Sequence, residues 1–428
     1  MNTRSPRTTI AVLGALAVLI TSCSSTTDPA TTITSKTTVA AAAAIPATPS
    51  SISTNGAGTS SRSSVPTSPD APTTTTRRSP ASTSQPVVGA LPDGFVPTKL
   101  KPGQKAPQFI VVSFDGVGWH EKWQYWRDIA SKVPFHFTGF LTGVYLLSGN
   151  TKSKYQGPGH GVGKSSVGWN APNDLPVEIA DLNQAYRAGN EIASHFNGHF
   201  CAGDGPSGND WATKDWNNEL DQFFALMANV RTNNGLPAST ALAFGAKDIK
   251  GERTPCLEGT PEALYPALKS HNLTYDSSFT RRGISWPTQS KQDRIWQLGM
   301  AEFPMHGTKH FQITMDYNFY YSQRNGSSTG VTPQQSATDS AQVQATYQDM
   351  YNATIAGNRA PLILGNHFNA WNNNAYSKAL GGFLLANCAK PGTYCVPFRD
   401  VLAWMKMQDP AVLAKLQAQA PELGPPNA

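Results

Sequence analysis

The sequence is poor in the features that mark several common protein classes. Only 14% of its 428 residues are charged, and the net charge of +6 comes without a basic cluster interleaved with aromatic side chains, so nucleic acid is not expected as a partner. It has no nucleotide-binding glycine fingerprint and no internal repeat. After an apolar run at residues 10–20, no later segment is apolar for long enough to span a bilayer.

The first 22 residues have the pattern of a bacterial export signal. Two arginines precede the apolar run at residues 10–20, which is shorter than a transmembrane helix needs. The run ends in "ITSC", which resembles a lipobox, where signal peptidase cuts before a cysteine that is then acylated. We therefore predict an exported protein, anchored to the outer face of the cell membrane only by acyl chains on Cys23. An ordinary cleavable signal is the alternative.

Residues 23–95 are rich in Ser, Thr, Ala and Pro and almost lack large apolar side chains. Such a segment cannot bury enough surface to offset the entropy lost on ordering, so we predict a disordered tether. Proline favours extended conformations, and a tether of this length would let the following domain, residues 96–428, reach roughly several tens of ångströms into the cell wall.

Cysteine is scarce. Besides Cys23 there are four cysteines, an even number in a domain that is predicted to be exported, so two disulfides are expected. Three pairings are possible; Cys388 with Cys395 would close a short loop and leave Cys201 with Cys256. Free buried thiols and zinc ligation by Cys201 and Cys256 are alternatives, and oxidising surroundings argue against both.

From residue 96 onward, strand and helix patterns alternate. Buried strands are predicted at residues 108–114, in "FHFTGFLTG", up to residue 195 and in "APLILGNHF". Helices are predicted between them, including one begun by Asn173 or Asp174 and a polar one from about Thr332 to Ala356. This order predicts an α/β fold with a parallel sheet, either doubly wound or a β/α barrel, and chemistry at the carboxyl ends of the strands.

Polar side chains follow several of these strands where each strand ends. Asp115, His195, Asp276 and His367 occupy such positions, and we expect them to form one site. His199 lies four residues after His195, a spacing that on one helical turn would place both imidazoles on one face, where they could bind one metal ion. Two histidines at this spacing are by themselves more often surface or core residues.

Five segments in order, "SFDGVG", "EIASHFNGHF", "RTPCLEG", "YDSSF" and "LILGNHF", resemble the successive motifs of the polysaccharide deacetylase family, which contains the NodB homology domain and is carbohydrate esterase family four. The resemblance spans about residues 108–398. It implies a distorted β/α barrel that removes acetyl groups from N-acetylated sugars with a divalent metal, usually zinc, with cobalt or a similar ion as alternatives. Fold alone does not fix activity.

The resemblance also implies a role for each residue of the site. His195 and His199 would hold the metal, and Asp115 would be the general base that takes a proton from the attacking water. Arg253, in "RTPCLEG", matches the arginine that orients the base by a charge-assisted hydrogen bond. His367 matches the acid that protonates the departing amine.

Two further side chains complete the predicted site. Asp276, in "YDSS", is the carboxylate expected near the acid histidine or the arginine. Trp371, four residues after His367, is the candidate for a wall against which a sugar ring stacks. Helical spacing predicts core packing for three other tryptophans: Trp119, Trp123 and Trp126.

One residue of the family pattern is missing. Two consecutive aspartates, base and then metal ligand, usually end the first motif, but here Asp115 is followed by Gly116. The unbroken Ser-Phe-Asp register favours Asp115 as the base and loss of the metal carboxylate, whereas a one-residue deletion would make Asp115 the ligand. Asp204 or His120 could supply a third ligand, or Asp115 could bridge through water.

The sequence therefore predicts a monomeric, metal-dependent deacetylase that acts on an N-acetylated glycan of the cell envelope, such as peptidoglycan. A non-catalytic glycan-binding protein with a degenerate site is the alternative, motivated by Gly116. The presence of Asp115, Arg253 and His367 counts against it. Hydrolysis of another amide or ester on the same scaffold is a third hypothesis.

Overall fold

The computed structural model of the protein describes residues 95–426. The predicted signal peptide, the acylation site Cys23 and nearly all of the predicted tether lie outside the described residues. The described residues belong to one compact unit. Within them, no helix combines the length and the apolar character that crossing a membrane requires.

Most of the strands are short and parallel. In chain order they are β1 (Gln108–Gly116), β2 (Thr138–Leu141), β3 (Glu191–Ser194), β4 (Gly251–Glu252), β5 (Tyr275–Asp276), β6 (Thr280–Arg282), β7 (Thr288–Gln289), β8 (Trp296–Gln297), β9 (Met300–Pro304), β10 (Phe311–Ile313), β11 (Leu362–His367) and β12 (Thr393–Cys395). Among the described residues, nine of these strands form the main sheet, and β10, β9 and β6 form a second, smaller one.

Helices separate the strands. They are α1 (His120–Ala130), α2 (Leu175–Arg187), α3 (Thr213–Ala228), α4 (Val230–Asn233), α5 (Pro261–Ser270), α6 (Asp316–Arg324), α7 (Pro333–Ala356), α8 (Trp371–Asn387), α9 (Phe398–Met407) and α10 (Pro410–Gln417). The predicted polar helix is α7, where Thr332 and Gln335 form a reciprocal capping box ahead of the helix.

The strand order distinguishes between the two predicted sheet types. From one edge the main sheet runs β11, β1, β2, β3, β4, β5, β8 and β7, with β12 paired to the start of β1. The pairs from β11 to β5 are parallel, and β1 to β5 follow one another in chain order without the reversal that defines a doubly wound sheet. The sheet is curled but open, which confirms the predicted distorted β/α barrel.

Strand β1 pairs with β11, β2 and β12 and is buried along its length up to Asp115. Helix α1 follows it and buries Trp123 and Trp126, as their spacing predicted. The prediction of core packing for Trp119 is wrong: Trp119 precedes the helix, which begins at His120, and 40% of its surface is exposed.

Two disulfides join the four described cysteines. Cys201 pairs with Cys256, and Cys388 pairs with Cys395 across a separation of seven residues. The predicted disulfides are therefore present, and the first of them ties the loop after β3 to the loop after β4. Sulfurs held in this bond are not thiolates, so zinc ligation by Cys201 and Cys256 is excluded in this structure.

Candidate active site

Four predicted site residues converge at the carboxyl ends of neighbouring strands. Asp115 and His367 are paired across β1 and β11, and His195 and Arg253 directly follow β3 and β4. Because parallel strands end at one edge of a sheet, these side chains share one environment. Arg253, His195 and His367 all act electrostatically on Asp115.

Arg253 is fully buried and holds Asp115 in place. Its Nη1 donates to Asp115 Oδ1 and to Ser113 Oγ, both at 2.8 Å, while Nε and Nη2 donate to the backbone and hydroxyl oxygens of Ser277. Burial alone would raise the pKa of Asp115, but the charge of Arg253, with smaller contributions from His195 and His367, lowers it below the ordinary value. Asp115 is therefore an oriented, ionised carboxylate.

The two predicted metal ligands lie on a loop. The expected helical turn is wrong: residues after Ser194 leave the strand, and Phe196 and His199 both have left-handed backbone conformations, with φ of 53° and 55°. The side chain of Asn197 fixes the loop by donating to Glu219 on α3. The loop still brings the His195 and His199 rings together, with centroids 5.2 Å apart.

Both histidines have the electronic state that a metal ligand needs. His195 Nδ1–H donates to the carbonyl oxygen of Arg253 at 2.7 Å, which leaves the Nε2 lone pair available, an arrangement common among metal-binding histidines. Burial lowers the pKa of His195, and burial together with the charges of His195 and His367 lowers the pKa of His199 to about 3. At neutral pH both imidazoles are uncharged donors, which suits zinc or cobalt.

A third ligand is less well provided for. Three donor atoms within 4.8 Å of one another would mark a metal site. Among the described residues, one such group of His, Cys, Asp or Glu exists, formed by His199, Cys201 and Cys256. The two sulfurs of this group form a disulfide. Asp115 is the carboxylate whose charge acts on both His195 and His199. The two imidazoles thus suit a divalent cation, and the described residues place no third protein ligand together with both of them.

The two alternative ligands considered from sequence lie elsewhere. His120 Nδ1–H donates to Asp181 on α2 at 2.6 Å, and Asp204 accepts a hydrogen bond from the Ser166 hydroxyl. Among the described residues, neither is grouped with the two candidate metal-binding histidines, and a role for either as a third ligand stays a prediction.

An aromatic ring, that of Tyr145, borders Gly116. Gly116 has a left-handed φ of 86°, and a Cβ added there would lie 3.6 Å from Tyr145 Cε2 and 3.9 Å from its hydroxyl oxygen. A Cβ on Gly118 would lie 2.6 Å from the same ring. Burial and the charge of Glu178 raise the pKa of Tyr145 to about 12, so a neutral phenol stands where the resemblance leads one to expect a second carboxylate.

The partner of the acid histidine is Asp316, which the sequence analysis missed. His367 Nδ1–H donates to Asp316 Oδ1 at 2.7 Å, while the backbone N–H of His367 and the Asn369 amide both donate to Oδ2. Burial would lower the pKa of His367, but the charge and hydrogen bond of Asp316, assisted by Asp115, outweigh burial and raise it. This histidine is therefore poised to carry a proton.

Asp276 does not take the predicted position. It accepts hydrogen bonds from the Tyr265 hydroxyl at 2.9 Å and from the backbone N–H of Ser278 at 2.6 Å. The Asp276 carboxyl also shares a buried hydrogen bond with the carboxyl of Glu252, and burial raises the pKa of both groups. The orienting role expected of Asp276 is filled by Asp316 for the histidine and by Ser277 for the arginine.

Trp371 lies beside the acid, as the sequence suggested. Its ring centroid is 5.4 Å from that of His367, and its other neighbour, Tyr320, stacks on it at 5.3 Å with planes only 7° apart. The backbone N–H of Trp371 donates to Asn369. An indole held in this way is a fixed surface next to the candidate proton donor.

The described domain is similar to polysaccharide deacetylases and family 4 carbohydrate esterases. A candidate polysaccharide deacetylase from Mycobacterium smegmatis matches with 13% identity and a TM-score of 0.44 over 76% of this chain and 97% of that one. A family 4 acetyl xylan esterase from Clostridium thermocellum, in complex with a cobalt ion, matches with 12% identity and a TM-score of 0.35 over 72% and 96%.

A family 4 pseudoenzyme from Bacillus anthracis also matches, with 10% identity and a TM-score of 0.35 over 73% of this chain and 71% of that one. No protein-family model matches the sequence, and no curated protein matches it. At these identities and TM-scores, the likeness does not establish what this chain hydrolyses or binds.

Two features of this deacetylase-like site left little trace in the sequence. Asp316 was missed because it is joined to His367 by a contact across 51 residues, where an isolated bridge between Met315 and Gly365 brings the start of α6 to β11. An available signal was the acidic residue three positions after β10. Tyr145 gave no comparable signal because only the fold brings it to Gly116.

Proposed function

We propose that this protein is a metal-dependent hydrolase that removes N-acetyl groups from an N-acetylated polysaccharide of the cell envelope, such as peptidoglycan. One observation carries the proposal. An oriented carboxylate, Asp115 with Arg253, and an oriented histidine, His367 with Asp316, lie on paired residues at the carboxyl ends of β1 and β11, next to two neutral imidazoles. This is a base, an acid and a metal-binding pair in one place.

The base has the properties that attack of water requires. His195 and His199 would hold the cation, which when bound would polarise the acetamide carbonyl and make water more acidic. Arg253 occupies Oδ1 of Asp115, so Oδ2 is left to accept the proton of the attacking water. Because its pKa is lowered, Asp115 stays ionised through neutral pH and is available as a base.

The acid completes the reaction. Water adds to the acetamide carbonyl, the C–N bond breaks, and the products are acetate and the free amino sugar. The departing nitrogen needs a proton, and His367 can supply it because Asp316 raises its pKa and fixes Nδ1, so that Nε2 carries the transferable proton. A quarter of the His367 side chain is exposed, which lets a substrate reach it.

The surroundings of the enzyme are part of the proposal. We infer export, acylation of Cys23 and a tether that holds a monomeric domain within reach of wall glycan, with no nucleic-acid partner. The lipobox-like "ITSC" and the Ser/Thr/Pro-rich segment after it support this placement. The two disulfides are consistent with folding in an oxidising compartment.

The test is acetate release from N-acetylglucosamine oligomers and from purified wall, measured with wild type and His367→Ala. We expect the wild type to release acetate and the variant to lose about 100-fold or more of that activity. His306→Ala is a matched control, since His306 also donates to an aspartate, Asp349, at 2.7 Å but lies on the surface. Equal activity in all three proteins would contradict the assignment of the acid.

The neutral phenol beside Gly116 favours a second candidate, a glycan-binding protein that does no chemistry. The two proposals differ in one result. Wild-type protein that binds the oligomers but releases no acetate, even when supplied with zinc or cobalt, would support binding alone.

The pH profile offers a test of the newly found Asp316. The rate should fall on the alkaline side as His367 loses its proton, at a pH above the ordinary histidine pKa because Asp316 raises it. Asp316→Asn removes that negative charge, so the alkaline limb of kcat/KM should move to lower pH. If the alkaline limb of kcat/KM does not move in Asp316→Asn, a group other than His367 determines that limb.

A further inference from the structure

A row of aromatic rings leads away from the acid histidine. Trp371 lies 5.4 Å from His367, Tyr317 lies 5.6 Å from Trp371, and Tyr321 lies 6.0 Å from Tyr317, all measured between ring centroids. We call Trp371, Tyr317 and Tyr321 the aromatic stripe. It is continuous from the candidate site to the surface.

The aromatic stripe is accessible, unlike most of the aromatic residues of the domain. Tyr321 is 45% exposed, and Tyr317 and Trp371 are partly exposed. Tyr317 and Tyr321 are four residues apart on α6 and so share one face of that helix. The same helix begins with Asp316, so the element that orients the acid also carries the stripe.

The stripe is held rigidly at its inner end. Tyr320 stacks on Trp371, and the three residues that follow Trp371 all have left-handed backbone conformations, with φ of 48°, 55° and 64° at Asn372, Asn373 and Asn374. Asparagine is one of the few non-glycine residues that adopt this conformation readily, so the sequence suits the turn. Hydrogen bonds from Asn372 to Asp339 and from Lys122 to Asn374 maintain it.

The chemistry of the stripe indicates its ligand. Fixed, flat, uncharged rings with polar hydroxyl tips suit the apolar C–H faces of sugar rings, whose edges carry hydroxyl groups. The cation at the end of α6, Arg324, is paired with Asp339, so the stripe carries no free positive charge from this helix that would select an anionic chain. A neutral saccharide chain fits these features best.

We propose that the aromatic stripe binds successive sugars of a polymeric substrate on the His367 side of the cleft, so that long oligosaccharides bind more tightly than short ones. This inference rests on the proposed function, because it takes the sugar at His367 to be the one that is deacetylated. Tyr317 and Tyr321 contact only the sugars beyond it. They are substrate-binding residues with no part in the chemistry.

The test measures binding of the N-acetylglucosamine dimer and hexamer to the full chain by calorimetry, with Tyr321→Ala and Tyr317→Ala. Each variant should bind the hexamer about 3- to 10-fold more weakly while binding the dimer as wild type does. Leu385→Ala, at a position of similar exposure (41%) on α8, is the matched control and should change neither. Acetate release from the dimer should be unchanged in Leu385→Ala.

Three outcomes would overturn the inference: a wild type that binds the hexamer no better than the dimer, variants that keep the full preference for the hexamer, or variants that lose dimer and hexamer affinity equally. Failure of the proposed function gives a different result. If hexamer binding depends on the stripe but no acetate is released, the stripe is a glycan-binding surface and the proposed deacetylase activity is wrong.

Discussion

Replacing Arg253 with methionine is expected to abolish acetate release and to destabilise the domain by about 3 to 5 kcal/mol, because it leaves the buried charge of Asp115 without its partner. Arg253 is fully buried and makes four hydrogen bonds through its guanidinium group, so no water can replace it without rearrangement. Loss of orientation at the base should lower kcat/KM by at least about 100-fold. Denaturant unfolding and acetate release measure the two effects.

Two comparisons separate the chemical effect from the structural one. Arg324→Met removes the arginine of a partly exposed pair with Asp339 and should cost clearly less stability. Asp115→Asn keeps the size of the side chain but leaves the buried charge of Arg253 without its partner, so it too should lower stability, while acetate release falls about 100- to 10,000-fold. An active Asp115→Asn variant would show that Asp115 is not the base.

Restoring the missing carboxylate alone should fail. Gly116→Asp would place a Cβ in a left-handed conformation at a cost of about 1 to 2 kcal/mol, and 3.6 Å from the Tyr145 ring. The Cβ itself would be in ordinary van der Waals contact, so the left-handed φ sets the expected loss of stability, while the ring limits the directions open to the carboxylate. We therefore expect a lower melting temperature and no gain in zinc affinity by calorimetric titration. The double variant Gly116→Asp with Tyr145→Ala opens that space and should bind zinc more tightly than either single variant.

Tyr145→Ala alone is the control for the effect of removing the ring. If Gly116→Asp by itself raised zinc affinity without loss of stability, Tyr145 would not be what closes this position. The contact between Tyr145 and Gly116 would then be incidental, and the glycine at position 116 would simply remove one metal ligand.

The parts of the site that could be predicted from the sequence depend on patterns within single segments of the chain. A buried apolar run followed by a polar residue predicts a parallel strand and the edge at which its last side chain lies, and this rule located Asp115, His195 and His367. The motif order added Arg253. The helical spacing after β1 placed Trp123 and Trp126 correctly but not Trp119, because the helix begins one residue later than the pattern.

The parts that were missed depend on contacts between distant segments. Asp276 and Asp316 both follow strand segments, and only the second sheet, which carries α6 towards β11, determines that Asp316 is the one at the histidine. The loop from His195 to His199 has two left-handed residues in place of a helical turn, and Phe196 is not a residue type that favours that conformation. Spacing alone could not distinguish these geometries.

The most direct test of the proposed hydrolytic site is the zinc dependence of acetate release from N-acetylglucosamine oligomers. The full chain would be stripped with a chelator, assayed, and assayed again as zinc is added back, beside His195→Ala. We predict that stripping abolishes acetate release, that about one equivalent of zinc restores it in the wild type, and that the variant stays inactive at the same zinc concentration. A wild type that releases no acetate at any zinc concentration, or that releases it undiminished without metal, would contradict the proposed site.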